Sequence, residues 1–301
     1  MIEKISYSGW QNCLKLSNGK IEIIVTTDVG PRIIKLSFVN SLNLFGELKR
    51  GDEKIDKNKW EIYGGHRLWH APEDPVRTYI PDNEPVNYEY KNNWLYLRPN
   101  LERETGIKKE IDIFLEPESN KVKVVHRLIN KGLWAVTLSV WCLSVMAKKG
   151  FAIVPQEDKK PHGEENFLPV RSMALWSYTD TSDPRYYFGK DFVFLKQDPD
   201  ISSPQKIGFL NTKGWAAYYL NGYVFVKKFQ CEKDKVYPDF NTNTQLFTNS
   251  EILEVETLSP LTLLLPGKSI EHIEEWFLFK VKLSFDETSV KENLLPLIKN
   301  L

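Results

Sequence analysis

Residues Lys20-Ile21-Glu22-Ile23-Ile24-Val25 alternate largely between polar and apolar side chains, and Lys121-Val122-Lys123-Val124-Val125 does the same. The pattern returns at residues 94–97 and 223–227. Successive side chains of a β-strand point to opposite faces of its sheet, so a period of two predicts half-buried strands. Strand is therefore the expected element along most of this chain.

Turn signals rich in glycine, asparagine and proline separate these runs. Gly and Asn tolerate the positive φ that tight reversals need, and Pro fixes its own φ for a turn. Many short strands with such turns predict an all-β sandwich or barrel, and large sandwiches commonly form one unit, so we expect a single domain over residues 1–301. The signals are Ser17-Asn18-Gly19, Gly30-Pro31, Asn130-Lys131-Gly132, Asn221-Gly222 and Pro266-Gly267.

Two segments depart from the strand pattern. Residues 286–298 place Val290, Leu294 and Ile298 on one helical face, which predicts a short C-terminal helix. Residues 150–169 combine Pro, Gly and charged side chains without periodicity. That composition predicts a long loop of the kind that borders a functional site.

Composition and charge argue against several classes of partner. The chain has 40 Lys and Arg against 40 Asp and Glu, with no long block of one sign, so neither nucleic acid nor an anionic membrane is favoured. The N-terminus lacks the apolar core of a signal peptide and no membrane-length apolar run occurs, which predicts a cytoplasmic protein. Three widely spaced cysteines without a CxxC pair indicate reduced thiols.

The densest polar cluster is residues 64–73, which contain His66, Arg67, Trp69 and His70. In a strand the two histidines face one way and Arg67 and Trp69 the other, whereas in a helix the histidines share a face; we expect the imidazoles to lie near each other. Arg67 stands where a zinc-binding HExxH motif needs glutamate, so no metal is predicted. The cluster either makes structural hydrogen bonds in a loop or lines a polar binding cleft.

A second cluster lies at residues 251–260. Alternation places Glu254 and Glu256 on one face of a strand, about 7 Å apart. Such a face meets either solvent or a cleft. The upstream segment 237–241, which includes Asp239 and aromatic rings, favours the cleft, and residues 176–180 have a similar mixture of aromatic and polar side chains.

Three stretches resemble the galactose-mutarotase-like superfamily, over roughly residues 20 to 281. They are residues 64–73, residues 125–132, and residues 254–260 continuing to Pro266-Gly267-Lys268 and residues 272–276. The resemblance implies a β supersandwich of two large, mostly antiparallel sheets with a sugar-binding cleft on the concave side. A small carbohydrate is then the expected partner, with no cofactor.

The resemblance also implies roles for individual residues. Glu256, in Glu256-Thr257-Leu258, matches the glutamate that serves aldose 1-epimerases as general base, although Leu258 departs from the Gln of that motif. The motif that carries the family's general-acid histidine is absent, so His66 and His70 are the candidates for that role.

The remaining candidates would hold the sugar. Arg67, Asp239 and Glu254 would bind hydroxyls, and Trp69 would stack on the apolar face of the ring. We expect these residues and the two histidines to border one cavity with Glu256. The functional hypotheses are an aldose 1-epimerase-like isomerase, a non-catalytic carbohydrate-binding protein, and a glycoside hydrolase or lyase.

Overall fold

The computed structural model describes residues 2–56, 58–163 and 165–301. These residues form strands β1 to β21, numbered in chain order, which assemble into two large antiparallel sheets. This confirms the predicted all-β fold. The alternating runs at residues 20–25 and 121–125 lie in β3 and β9.

The first sheet contains the second polar cluster and most of the first. Its strands, in spatial order, are β1 (Ile2–Tyr7), β2 (Trp10–Ser17), β3 (Ile21–Thr26), β4 (Arg32–Phe38), β5 (His66–Ala71), β10 (Val136–Met146), β19 (Leu253–Leu258), β18 (Thr244–Thr248), β15 (Gln205–Phe209) and β12 (Met173–Leu175), with β20 (Thr262–Leu264) paired to β10. Glu254 and Glu256 therefore lie on one strand, as predicted.

The second sheet covers one face of the first. Its spatial order is β13 (Tyr186–Phe188), β14 (Phe192–Lys196), β11 (Phe151–Pro155), β16 (Trp215–Leu220), β17 (Tyr223–Phe229), β21 (Ser269–Lys280), β9 (Lys121–Asn130), β8 (Ile107–Leu115), β7 (Trp94–Arg98) and β6 (Asn87–Lys91). Buried side chains from both sheets, such as Ile23, Leu36, Ile111 and Val124, form the apolar core. Each such side chain contributes about 1.5–3 kcal/mol through burial.

Residues 151–155 correct one expectation, because they form β11 at the start of the predicted loop 150–169. Strand β11 lies between β14 and β16 and is buried throughout. A strand covered on both faces is apolar at every position, so it lacks the alternation that identifies half-buried strands.

The C-terminal segment is helical, as predicted. Asp286 caps it by accepting a hydrogen bond from the Ser289 amide, and the segment comprises α2 (Glu287–Ser289), a π-helical turn (Val290–Leu294) and α3 (Leu295–Lys299). Its apolar face packs on the outside of the second sheet. The short segment Pro238–Asn241 is labelled α1. Within the described ranges, no helix has the length and apolar character needed to cross a membrane.

Candidate functional site

Strand pairing brings the two polar clusters together. Strand β10 lies between β5 and β19, so that Leu143 pairs with Arg67 on one side and with Glu256 on the other. Residues directly opposite each other in antiparallel strands share a face of the sheet. Arg67, Trp69, Glu254 and Glu256 therefore share the face that points away from the second sheet, here called the outer face.

Glu256 is completely buried on this outer face. The indole nitrogen of Trp141 donates a hydrogen bond to its Oε2 at 2.7 Å, and the Lys206 ammonium lies 3.4 Å from the same oxygen. Among the described residues, Oε1 has no hydrogen-bond partner. Burial raises the pKa of Glu256, while the positive charge of Lys206 opposes that rise.

Arg67 and Glu254 form a neighbouring ion pair. The Arg67 NH1 donates to Glu254 Oε1 at 2.8 Å, and both side chains are buried. The Arg67 guanidinium carbon also lies 4.3 Å from the ring centroid of Trp69 and 5.8 Å from that of Trp60. The carboxylate and the rings together hold the guanidinium in one orientation.

Aromatic rings enclose these charges and form what we call the aromatic wall. The ring of Trp69 lies 5.2 Å from Trp60, 5.3 Å from Trp141 and 5.4 Å from Tyr79, measured between centroids. Trp176 completes the wall, since the Lys206 ammonium lies 4.8 Å from its ring and equally far from that of Trp141. The result is an apolar surface beside a row of ionised groups.

Asp239 is bound to the first sheet through the side-chain amide of Gln245. It sits in the short segment α1 with a φ of 52°, and its carboxylate accepts a hydrogen bond from Gln245 Nε2 at 2.8 Å. Gln245 pairs directly with Glu256 between β18 and β19. Asp239 is thus hydrogen-bonded to β18, the strand next to the one that carries Glu256.

The two histidines do not join the outer face, which corrects the expectation of one shared cavity. Strand β5 is extended, so His66 and His70 point toward the second sheet while Arg67 points away from it. Four residues of strand also separate the two imidazoles by about 13 Å, so they are not neighbours. His70 instead lies 3.6 Å from Glu102, between its Nε2 and the carboxylate Oε1.

His66 belongs to a buried polar network between the sheets. The sequence did not predict that the residues of this network contact one another. Its Nε2 lies 2.7 Å from Nε2 of His126, and its Nδ1 lies 2.8 Å from the Ser144 hydroxyl. The His126 Nδ1 donates to the backbone oxygen of His272. Burial lowers the pKa of both imidazoles, which favours their neutral forms. In those forms His126 Nε2 accepts from His66 Nε2, and His66 Nδ1 accepts from Ser144.

The network continues to a buried ion pair. The Lys227 ammonium lies 3.0 Å from Glu274 Oε1, and the Thr257 hydroxyl and the Trp276 indole donate to the same carboxylate. Burial opposes ionisation of Glu274, but Lys227 and the other groups around the carboxyl together outweigh it and hold its pKa below its usual range. Burial lowers the pKa of His126 and of His272 to about 4.

Potential metal ligands occur in this network. The nitrogens of His66 and His126 and an oxygen of Glu274 lie within 4.8 Å of one another, as do donor atoms of Cys142, His272 and Glu274. Hydrogen bonds already occupy both ring nitrogens of His66 and of His126, and Lys227 already neutralises Glu274. The network is thus electrostatically satisfied by protein groups.

An open cavity of about 860 Å³ lies on the other side of β5. Its lining includes Leu68, Asp82, Glu102 and Lys109, but neither Glu254 nor Glu256. The outer-face site is closed by its own aromatic wall. Unsatisfied buried polar atoms occur beside that cavity too, on Arg32, His70 and Asp82. We place the candidate site at Glu256 because there such atoms adjoin the residue that the sequence matches to a general base.

Lys206, Trp141 and Gln245 are site residues that sequence analysis missed. Each lies within an ordinary strand, and it is the order of strands in the sheet that brings them to Glu256. The segment 176–180 did carry a signal, since its mixture of aromatic and polar residues resembled that of the site. Trp176 and Tyr178 from this segment both lie beside the ionised groups, and burial and the Glu256 carboxylate raise the pKa of Tyr178.

Comparisons with known proteins address the architecture. No protein-family model and no curated protein matches the sequence. Among solved structures, a TPR-domain containing protein from Parabacteroides distasonis superposes with a TM-score of 0.60 at 15% identity, over 90% of this chain and 48% of that one. This chain therefore spans about half the length of that protein.

Two further solved structures match this chain over their whole length. A galactose mutarotase related enzyme from Lactobacillus acidophilus superposes with a TM-score of 0.56 at 9% identity, over 90% of this chain and 100% of that one. A galactose mutarotase-like protein from Lactobacillus casei superposes with a TM-score of 0.54 at 9% identity, over 89% of this chain and 100% of that one. At such identities the likeness establishes architecture, and this chain has the galactose-mutarotase-like fold.

Proposed function

We propose that the protein binds a monosaccharide at the outer-face site and interconverts its anomers with Glu256 as general base. The observation that carries the proposal is a set of buried polar atoms without protein partners among the described residues. Trp60 Nε1 and Arg67 Nε are unused donors, and Gln245 Oε1 and Glu256 Oε1 are unused acceptors. Each unsatisfied group costs about 1–3 kcal/mol, and sugar hydroxyls can both donate to and accept from them.

The aromatic wall supports the same ligand class. A pyranose carries C–H groups on its flat faces, so it can bury one face against Trp69 while its hydroxyls reach the charged groups. Arg67, Glu254 and Asp239 would bind hydroxyls, as expected from their side-chain chemistry. A ligand must displace part of the wall to enter, and Tyr178, with 42% of its surface exposed, lies at the rim.

Glu256 has the properties that a general base needs. Its pKa is raised by burial, which makes the carboxylate a stronger base, and the neighbouring Lys206 favours the ionised form. The base would take the proton of the anomeric hydroxyl while the ring oxygen receives a proton, so that the ring opens and recloses on either face. Two structurally similar proteins, one a mutarotase-related enzyme and the other mutarotase-like, are consistent with this chemistry.

One observation favours a non-catalytic sugar-binding protein as the second candidate. His66 and His70, the expected acids, point away from the outer face, so no histidine of the described ranges is a partner for Glu256. The hydrolase hypothesis has less support, because Arg67 already binds Glu254 and the two glutamates lie side by side on one strand rather than across a cleft.

The test follows anomer interconversion of freshly dissolved α-glucose and α-galactose by NMR, together with calorimetric binding. Glu256→Gln keeps the size and hydrogen bonding of the side chain but removes the base. We expect its sugar affinity to survive while interconversion falls about 100-fold or more. Binding by the wild-type protein without acceleration would leave the second candidate, and absence of both would refute the site itself.

A further inference from the structure

Lys206 is the one ammonium that contacts the candidate base among the residues that the structure describes. It projects from β15 onto the outer face, where its Nζ lies 3.4 Å from Glu256 Oε2. The rings of Trp141 and Trp176 flank the ammonium, each centroid 4.8 Å away. Only 5% of the residue is exposed, so the ring pair fixes its position and excludes water.

We propose that Lys206 is the proton donor that works with Glu256, an inference that rests on the proposed function. In ring opening, Glu256 takes the anomeric hydroxyl proton and Lys206 gives a proton to the ring oxygen. The bond between the anomeric carbon and the ring oxygen breaks, and the electron pair of the former O–H bond forms the carbonyl. Closure on the other face reverses every transfer, so Lys206 regains its proton and Glu256 loses the one it took.

The short separation between Lys206 and Glu256 suits this reaction. The hydroxyl oxygen and the ring oxygen are bonded to the same anomeric carbon, so the base and the acid must act on neighbouring atoms. Lys206 and Glu256 contact each other directly. A sugar bound between them would place its anomeric carbon next to both the acid and the base. The two oxygens of the substrate would then replace the direct contact of the ion pair.

Charge also favours the pair. Transfer of one proton to the substrate and one from it converts Lys206⁺ and Glu256⁻ into two neutral groups, with no change in net charge. A buried, water-poor site disfavours isolated charges, so a concerted exchange avoids the cost of creating one.

Other groups near Glu256 fit the role less well. The guanidinium of Arg67 does not release a proton in proteins, and His66 and His70 lie on the other side of β5. Tyr178 is a possible donor by chemistry, but burial raises the pKa of its phenol and no hydrogen bond joins it to Glu256 among the described contacts. Lys206 is therefore the acid that the geometry favours.

The experiment compares Lys206→Met and Lys206→Arg with the wild-type protein in the NMR interconversion assay, with sugar affinity and thermal midpoint measured on each. Lys148→Met is the matched control, because it removes an exposed lysine whose Nζ lies 2.6 Å from Glu251. We expect Lys206→Met to lower the rate at saturation about 100-fold or more. Lys206→Arg should stay within about tenfold of Lys206→Met, since arginine keeps the charge but retains its proton.

The pH profile separates proton donation from charge alone. Loss of the ammonium should raise the pKa of Glu256 and move the acid limb of kcat/KM to higher pH in Lys206→Met, whereas Lys206→Arg should keep the limb near its wild-type position. Recovery of a wild-type rate by Lys206→Arg would overturn the proposal. So would a rate loss in Tyr178→Phe with none in Lys206→Met. An inactive wild-type protein would refute the proposed isomerase and this role together, whereas an active one with an active Lys206→Met would refute only the role.

Discussion

Acidification should destabilise the protein through the histidines between its sheets. Burial keeps His126 and His272 neutral in the folded state with a pKa of about 4, and it also lowers the pKa of His66 well below its usual value. An unfolded histidine has a pKa of about 6.5. Between these values the unfolded chain binds more protons than the folded protein, so the free energy of unfolding falls as the pH falls.

The magnitude follows from the two pKa values. An unfolded histidine is about nine-tenths protonated at pH 5.5, while His126 with a pKa of about 4 stays almost neutral in the folded protein. Between pH 7.5 and 5.5 the difference amounts to about 1.3 kcal/mol for each such histidine. Glu274, which faces the network beside Lys227, keeps its charge over this window because its pKa lies below the usual range, while the raised pKa of Glu256 works in the opposite direction.

A variant comparison isolates the network from those other groups. Urea unfolding of wild type, His126→Gln and His162→Gln would be followed by circular dichroism at both pH values; His162 is the exposed histidine and serves as control. His126→Gln should lose about 1.3 kcal/mol less stability than wild type on acidification, whatever its stability at pH 7.5. An equal or larger loss in His126→Gln would refute the neutral buried imidazole.

Two further changes test the charges and the aromatic wall. Lys227→Met leaves the Glu274 carboxylate buried without its cation and should lower the free energy of unfolding by about 3–5 kcal/mol. The double variant Lys227→Met/Glu274→Gln should recover a large part of that loss, as measured by urea unfolding. An equal loss in the double variant would contradict the ion-pair argument. Trp69→Ala removes a stacking surface worth about 1–3 kcal/mol, so calorimetry should show sugar affinity falling about 5- to 150-fold while the rate at saturation changes little. A large loss of rate at unchanged affinity would exclude a stacking role.

Strand alternation predicted part of the site and contradicted another part. It placed Glu254 and Glu256 on one face, and the extended alternative for residues 66–70 separated the histidines from Arg67 and Trp69 as observed. Their suitability for acid–base catalysis suggested that the histidines lie in one cavity with Glu256. The side to which a side chain points is set by its position along the strand, so residue type alone could not predict the cavity.

The order of the strands could not be obtained from local pattern. Strand β10 separates β5 from β19, and β18 separates β19 from β15, so the contact between Lys206 and Glu256 joins residues that lie 50 positions apart in the chain. Nothing in the local sequence around Lys206 indicates that neighbour. The strand at residues 151–155 was hidden for a different reason, because a fully covered strand has no polar face to reveal its period.

The network between the sheets has a mechanical consequence. Apolar side chains tolerate small sliding movements between two sheets, whereas hydrogen bonds from His66 to His126 and from Lys227 to the backbone oxygen of Val255 require a particular offset. These hydrogen bonds fix the relative position of the two sheets and oppose sliding of one over the other. His66 and Arg67 are neighbours on β5, and Val255 and Glu256 are neighbours on β19. The hydrogen bonds between the sheets therefore also set the spacing of the charged groups on the outer face.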